Sequence, residues 1–347
     1  MAEVRATVRA MRAGPLLARS AEIVLTQADG GRVVSSTRLV APVPLRGPAR
    51  DADELAVRRL MSFVDVLASV PGAAIQSGYA TATAWYADGA TTGLRRGHVV
   101  ARLETPGGPV VTGTGNDDDP AIDAGFPERL DPPPVGWRAR SLVLRPPVAA
   151  VLVSAARLVL TARAMRSRYA DLSGRRILPG LTIVDSPAAH RVGAPGDNGR
   201  PAVPHPLVDR GRLRPVEFDS TLDLMSGRAV WDHDTQALGP APVTRLDLSG
   251  PECATPDPAV ELAWCVEGLQ RYHRDGILRL RCLARTAGAG WFVVELRGRP
   301  LHVLQATVGV SPPYRTVYSD DEVRTPSIVL CSAERLEEQH GAVLTGL

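Results

Sequence analysis

Four apolar runs follow one another in the last third of the chain, with no helix-period segment separating them. They are "ILRLRCLAR" (277–285), "GWFVVELRGRPL" (290–301), "LHVLQATV" (301–308) and "PSIVLC" (326–331). Parallel strands need a crossover of a dozen or more residues between them, usually a helix. Strands in direct succession therefore pair as antiparallel neighbours. This predicts an α+β chain rather than a doubly wound one, with an antiparallel sheet in its C-terminal part.

Upstream, helix and strand signals alternate. Residues 21–47, "AEIVLTQADGGRVVSSTRLVAPVPLRG", read as a hairpin turning at "ADGG". "DADELAVRRLMSFVDVLASVPG" reads as a helix capped by Asp51 or Asp53, burying Leu60, Phe63, Val64 and Leu67 and stopped at Pro71-Gly72. "ATATAWYADG" and "HVVARLE" read as strands. Periodicity is lost between 112 and 137, where "TGTGNDDDPA" and "DPPPVGW" are turn and linker material. A boundary near 140 divides a mixed α/β N-terminal domain (1–140) from a β-rich C-terminal domain (141–347) with two or three helices. There, "PVAAVLVSAARLVLTARAMRSRYADL" reads as a buried strand from Val148 to Val153, then a helix from Ser154 to about Tyr169. A third helix is expected at 257–272, with Asp257 as cap and Pro258 at its first position.

Composition excludes several functions. All 40 basic side chains are arginine, so lysine Schiff bases, lysine general bases and the phosphate-loop lysine are ruled out. A net charge of +3 with scattered arginines gives no basic stripe for nucleic acid. No run approaches a membrane span, and the Arg- and Ala-rich start lacks a secretory apolar segment. Cys253, Cys265, Cys282 and Cys331 show no metal-site spacing and fit a reducing cytoplasm.

No GxSxG elbow, Walker loop or GxGxxG motif is present. Asp117, Asp118 and Asp119 lack the glycine and distal glutamate of a calcium loop. His190, His205 and His233 share one β-rich segment with Asp185, Asp197, Asp232 and Asp234, a ligand set zinc accepts. Their irregular spacing equally suits surface histidines and turn-forming aspartates. A self-sufficient metal-dependent hydrolase built on these histidines is therefore one reading.

The order of segments carries another. "VAAVLVSAARLVLTARAM", "LTIVDSP", "GDNGRPAVPHPLVDRGRL" and "FDSTLDLMSGRAVW" follow in series, and "TRLDLSG" and "VEGL" come later. Over roughly residues 145–335 this series resembles the TldD/TldE (PmbA) family of peptidase subunits. Asp185 and Pro187 match its first motif, Asp197 and Gly199 the second, and Gly211 and Leu213 the third, with Gly250 and Gly268 further on. The middle region, around 75–140, is shorter than the family pattern.

Catalytic subunits of that family carry HExxxH on the helix after the first of these strands, where two histidines bind zinc and the glutamate activates water. Here the matching helix holds neither histidine nor glutamate, no histidine lies between His98 and His190, and "PPYRTVYSDDEVRTPSIVLC" has no cysteine ahead of its apolar strand, only Cys331 at the end of it. The resemblance thus implies the TldE-type, non-catalytic subunit. Its zinc would sit in a TldD-like catalytic paralogue, and the heterodimer would process unstructured peptides, including leader-peptide removal in peptide natural-product biosynthesis. Peptides would enter by strand addition. On this reading Asp185, Pro187, Asp197, Asn198, Gly199 and Gly211 line the peptide cleft or subunit interface. As plain architecture, Asn198-Gly199 is a hairpin turn. Arg163 and Arg166 stand where ligands would be, either as carboxylate forks or as solvated surface charges. A peptide-binding module with no enzymatic partner, which predicts a stable homodimer, is the third reading.

Overall fold

The computed structural model describes residues 2–13, 16–29, 32–41, 48–87, 90–114, 125–160, 174–186, 204–214, 229–232, 237–240, 245–272, 276–287, 290–318 and 322–347. The N-terminal part runs β1 (Ala2–Ala13), β2 (Leu16–Asp29), β3 (Arg32–Ala41), α1 (Pro48–Ala68), β4 (Ala74–Ala87), β5 (Ala90–Glu104) and β6 (Val110–Thr114). Then come β7 (Ser141–Leu144), α2 (Pro146–Val159), β8 (Thr182–Asp185), β9 (His205–Asp209), β10 (Arg212–Leu213), β11 (Ala229–Asp232), β12 (Ala237–Pro240) and β13 (Arg245–Ser249). The chain closes with β14 (Ala259–Tyr272), β15 (Leu278–Thr286), β16 (Trp291–Gly298), α3 (Pro300–Gln305), β17 (Thr307–Tyr318), β18 (Glu322–Ser332), α4 (Ala333–His340) and β19 (Val343–Gly346).

This is an α+β fold. Among the described residues 17 strands form one connected network, and β11 and β12 pair separately. Pairing is antiparallel except for β13 with β18 and β7 with β14. The expected hairpin is present: β2 and β3 pair from Ala21↔Ala41 to Asp29↔Arg32 across residues 30 and 31. Helix α1 buries Leu60, Phe63, Val64 and Leu67 as its spacing requires. It begins earlier than expected, however. Asp51 lies in its first turn and Asp53 inside it, so neither is the cap.

Three expectations are overturned in the second half. Residues 148–153 are not a strand but the middle of α2, which starts at Pro146 after an extended Arg145. Proline is favoured in a first turn because its missing N–H would have no partner there. Every residue from Pro146 to Ala156 is buried, so the helix shows no polar stripe. A short apolar run of that kind looks the same in sequence whether it is a buried strand or a buried helix. The second error is 257–272, where the expected helix is strand β14. It pairs with β7 on one side and β15 on the other, and the Asp257–Pro258 peptide before it is cis. The third is "LHVLQ" in the fourth apolar run, which belongs to helix α3, with strand resuming only at Thr307.

Among the described residues, two large apolar clusters and a small one at Val143, Ala259 and Val329 form the core. The largest packs α2 against β14, β17, β18 and α3, with Phe292 and Trp137 ring to ring at 6.0 Å. The second places α1 on β4 and β5 and reaches across to β14 and β15, where Trp264 stacks on Phe126 at 4.7 Å. Strand β14 therefore contributes to both large clusters.

Candidate functional site

The metal-gripping helix expected from the sequence, Ser154 to about Tyr169, is described only at its start: Ser154–Val159 form the second half of α2, and residues 161–173 lie outside the described part. The α2 sequence, PPVAAVLVSAARLV, offers only Ser154 and Arg157 as polar side chains, and Ser154 is fully buried. Zinc takes thiolate, imidazole or carboxylate ligands, and this segment supplies none. The residues present do not fit the metal. Among the described residues there is no group of three or more His, Cys, Asp or Glu able to hold one.

Of the residues singled out in the sequence, Asp185, His205 and Gly211 lie within the described part. Pro187, His190, Asp197, Asn198, Gly199, His233, Arg163 and Arg166 lie outside it. Asp185 ends β8 and is buried. His205 begins β9, and the two are direct cross-strand partners, so the fold does bring this carboxylate and imidazole together. Gly211 has an architectural reason to be glycine. Together with Arg210 (φ 48°) it forms the left-handed turn between β9 and β10, at φ 82°. A Cβ there would fall 1.9 Å from the Leu178 carbonyl oxygen.

From Asp185 a chain of contacts crosses the molecule. The Ser186 N–H donates to the Arg245 carbonyl at 2.8 Å, and Arg245 donates through Nε to Asp247 Oδ1 at 2.8 Å. The Arg245 guanidinium also lies 3.9 Å from buried Glu322. Glu322 is the cross-strand partner of Tyr318 at the tip of the β17–β18 pair. Tyr318 leaves the C-terminal part and stacks flat on His98 of β5, with centroids 3.8 Å apart and planes 3° from parallel. His98 in turn meets the ring of Tyr79 edge-on at 5.5 Å.

Two glycines make this seam possible. Ala80 pairs with Val99 and Ala82 with Arg96, so Thr81 of β4 faces both Gly97 and His98, a β-bulge. A Cβ on Gly97 would sit 2.1 Å from Thr81 Oγ1, so no other residue fits without displacing that strand. Such an extra residue re-aims the side chain that follows it, and here that side chain is His98. Gly113 of β6 plays the matching part opposite. A Cβ there would lie 2.8 Å from the Val99 carbonyl oxygen and 3.0 Å from that of Tyr318.

Beyond Tyr79 the seam opens into a cavity of about 290 Å³ on the face of β1 and β4 that points away from α1. Arg9, Met11 and Tyr79 line it together with Arg12 and Ser77. Met11 opposes Tyr79 and Arg9 opposes Thr81 in the β1–β4 register, so these side chains share one sheet face while Ala10, Ala80 and Ala82 point inward. The Arg9 guanidinium lies over the Tyr79 ring, 3.9 Å from its centroid. Burial raises the Tyr79 phenol above its ordinary pKa and the Arg9 charge pulls it partly back, so at neutral pH it is an O–H donor.

The thiols are poor nucleophiles. Burial raises Cys253 and Cys331, and Cys282 is pushed far up by its hydrogen bond with Cys265, its direct cross-strand partner, and by burial. Sequence reading missed Arg9, Tyr79, His98, Tyr318 and Glu322 as site residues. They are spread over more than 300 positions and share no motif.

No protein-family model and no curated protein sequence matches the chain. Solved structures do. TldE from Thermococcus kodakarensis superposes with a TM-score of 0.58 at 12% identity, covering 95% of this chain and 96% of that one. A candidate modulator of DNA gyrase from Bacteroides thetaiotaomicron gives 0.53 at 12% identity over 100% and 94% of the two chains. Another from Thermotoga maritima gives 0.52 at 13% identity over 95% of each. These likenesses establish the fold, over nearly the full length of each chain. Among the described residues no helix is long and apolar enough to cross a membrane.

Proposed function

We propose that this chain is the non-catalytic subunit of a two-part peptidase of TldD/TldE type. It would act in the cytoplasm with a zinc-carrying TldD-like paralogue on unstructured peptides. One observation carries the reading: a chain whose fold matches TldE over 95% of its length has, in the segment Ser154–Tyr169 where the resemblance expects zinc ligands, the sequence SAARLVLTARAMRSRY, with neither histidine nor glutamate. Those residue types cannot grip zinc, and the described start of the segment, Ser154–Ala156, is buried in the cluster that α2 forms with β14, β17, β18 and α3.

In this role the chain contributes surface rather than chemistry. The seam from Asp185 to Tyr79 and its cavity would hold part of the peptide, while bond cleavage takes place on the partner. A second reading rests on the Asp185–His205 pairing, which could belong to a metal site of this chain's own.

One experiment separates them. The chain and a TldD-like paralogue are purified apart, their zinc is measured, and peptide cleavage is followed for each alone and for the mixture. Zinc confined to the paralogue, with cleavage raised by mixing, is the expected result. Stoichiometric zinc in this chain alone, with activity lost on His205→Ala, would overturn the proposal in favour of the second reading.

A further inference from the structure

Among the described residues, the lining of the cavity beside Tyr79 carries an arginine and no carboxylate. Arg9 is the cation that faces the cavity, and the other described side chains there are neutral; Arg12, on the opposite face of β1, turns to Met61 Sδ of α1 at 3.5 Å. Arg9 is exposed and lies with its face on the Tyr79 ring. A guanidinium engaged through its face keeps the N–H donors at its edge, which lie in the plane and match the two oxygens of a carboxylate. The Tyr79 hydroxyl, protonated at neutral pH, is a further donor. Every strong polar group at the mouth therefore donates, which suits an anion and disfavours a cation.

Size and position narrow the ligand. A volume of about 290 Å³ is at the lower end of the range for small-molecule pockets, enough for one or two residues of a peptide but not for a folded partner. Met11, 36% exposed beside Tyr79, supplies an adaptable apolar contact for a neighbouring side chain. Tyr79 is shared between the cavity and the Tyr79–His98–Tyr318 row of rings, which places the row next to it.

We infer that the cavity on the outer face of β1 and β4 is a carboxylate-binding subsite for peptides, with Arg9 as its principal contact and Tyr79 as the platform that holds Arg9 in place. The inference rests on the reading of this chain as a peptide-binding subunit, and it names the chemical group that the subunit recognises. The carboxylate comes either from the peptide's C-terminus or from an acidic side chain.

The test uses the full chain without any paralogue. Fluorescence anisotropy measures its affinity for three labelled, unstructured decapeptides: one neutral in its side chains with a free C-terminus, the same peptide amidated, and the amidated peptide carrying one glutamate. Hydrogen bonds to a charged group are worth roughly tenfold to a hundredfold in affinity, and partial exposure of Arg9 sets the expectation at the lower figure. The free or the glutamate-bearing peptide should bind about tenfold more tightly than the neutral amide. The stronger of the two identifies the source of the carboxylate. Arg9→Gln should abolish that preference, and Tyr79→Phe, which keeps the platform, should reduce it about threefold. Raising salt should weaken the preferred carboxylate-bearing peptide more than the neutral amide. Affinities equal within twofold across all three peptides, including no binding to any, or a preference that survives Arg9→Gln, would overturn the inference. Because no paralogue is present, those results leave the two-subunit reading standing. Failure of the paralogue mixture to cleave would not touch this one.

Discussion

Replacing Glu261 by glutamine tests the electrostatic joint between helix α2 and the central strand β14. Glu261 Oε1 accepts from Arg145 Nη2 at 2.5 Å, and Oε2 accepts from Arg285 at 2.9 Å. Arg145 is the residue that opens α2, so the joint fixes where that helix begins. The side chains are 19% (Glu261), 23% (Arg145) and 34% (Arg285) exposed, neither fully buried nor free in water. Removing one partner of a fully buried pair costs roughly 3–5 kcal/mol, and exposed pairs contribute about 1 kcal/mol or less. The intermediate burial, together with two arginines left facing one another, sets the cost of Glu261→Gln at about 2–3 kcal/mol. The pH dependence has a defined sign. Burial alone would raise the Glu261 carboxyl, but Arg145 and then Arg285 outweigh it and hold the group below its ordinary value of 4.5. A depressed folded pKa means that the stabilisation is complete above the unfolded value and disappears as pH falls through the folded one. Thermal melts of the two proteins should therefore differ by several degrees at pH 7 and converge on acidification below about pH 4. A difference under 1 °C at pH 7, or one that stays constant down to pH 3, would refute the reasoning.

Three further outcomes are expected. Gly211→Ala should destabilise by more than about 3 kcal/mol or abolish soluble expression, because its Cβ would overlap the Leu178 carbonyl at φ 82°; a melt within 1 °C of the parent would contradict the turn geometry. Tyr318→Ala removes the His98 stack and should cost about 1 kcal/mol, while hydrogen exchange quickens at residues 97–100 and 77–82; exchange unchanged there would mean that the seam is not held by this ring. Trp264→Phe should cost about 1–3 kcal/mol, from the cavity left beside Phe126, since the buried indole N–H has no acceptor among the described residues and no hydrogen bond is lost; a loss of about 5 kcal/mol or more in urea titration would contradict this.

Much of the fold was legible from local pattern. Helix α1 could be read because one of its faces is solvated, so Leu60, Phe63, Val64 and Leu67 stand out at helical spacing. The β2–β3 hairpin could be read because its turn chemistry is local. Succession of apolar runs without crossover helices was enough for the α+β class. Segments buried on every side were not legible. In α2 and β14 polar residues no longer mark the period, so "VAAVLV" passed for a strand and "DPAVELAWCVEGLQRY" for a helix.

The site divides along the same line. The sequence by itself determined what the segment from Ser154 to Tyr169 cannot do, because ligand chemistry belongs to residue types and no packing can add an imidazole to SAARLVLTARAMRSRY. It also marked Asp185, His205 and Gly211, whose neighbours in the chain carry their motifs. Only the tertiary structure could bring Arg9, Tyr79, His98 and Tyr318 together. Those contacts depend on strand register, on the bulge at Gly97 and on the close approach at Gly113. Register is set by pairing across the whole sheet, and that information is not held in any single stretch of the chain.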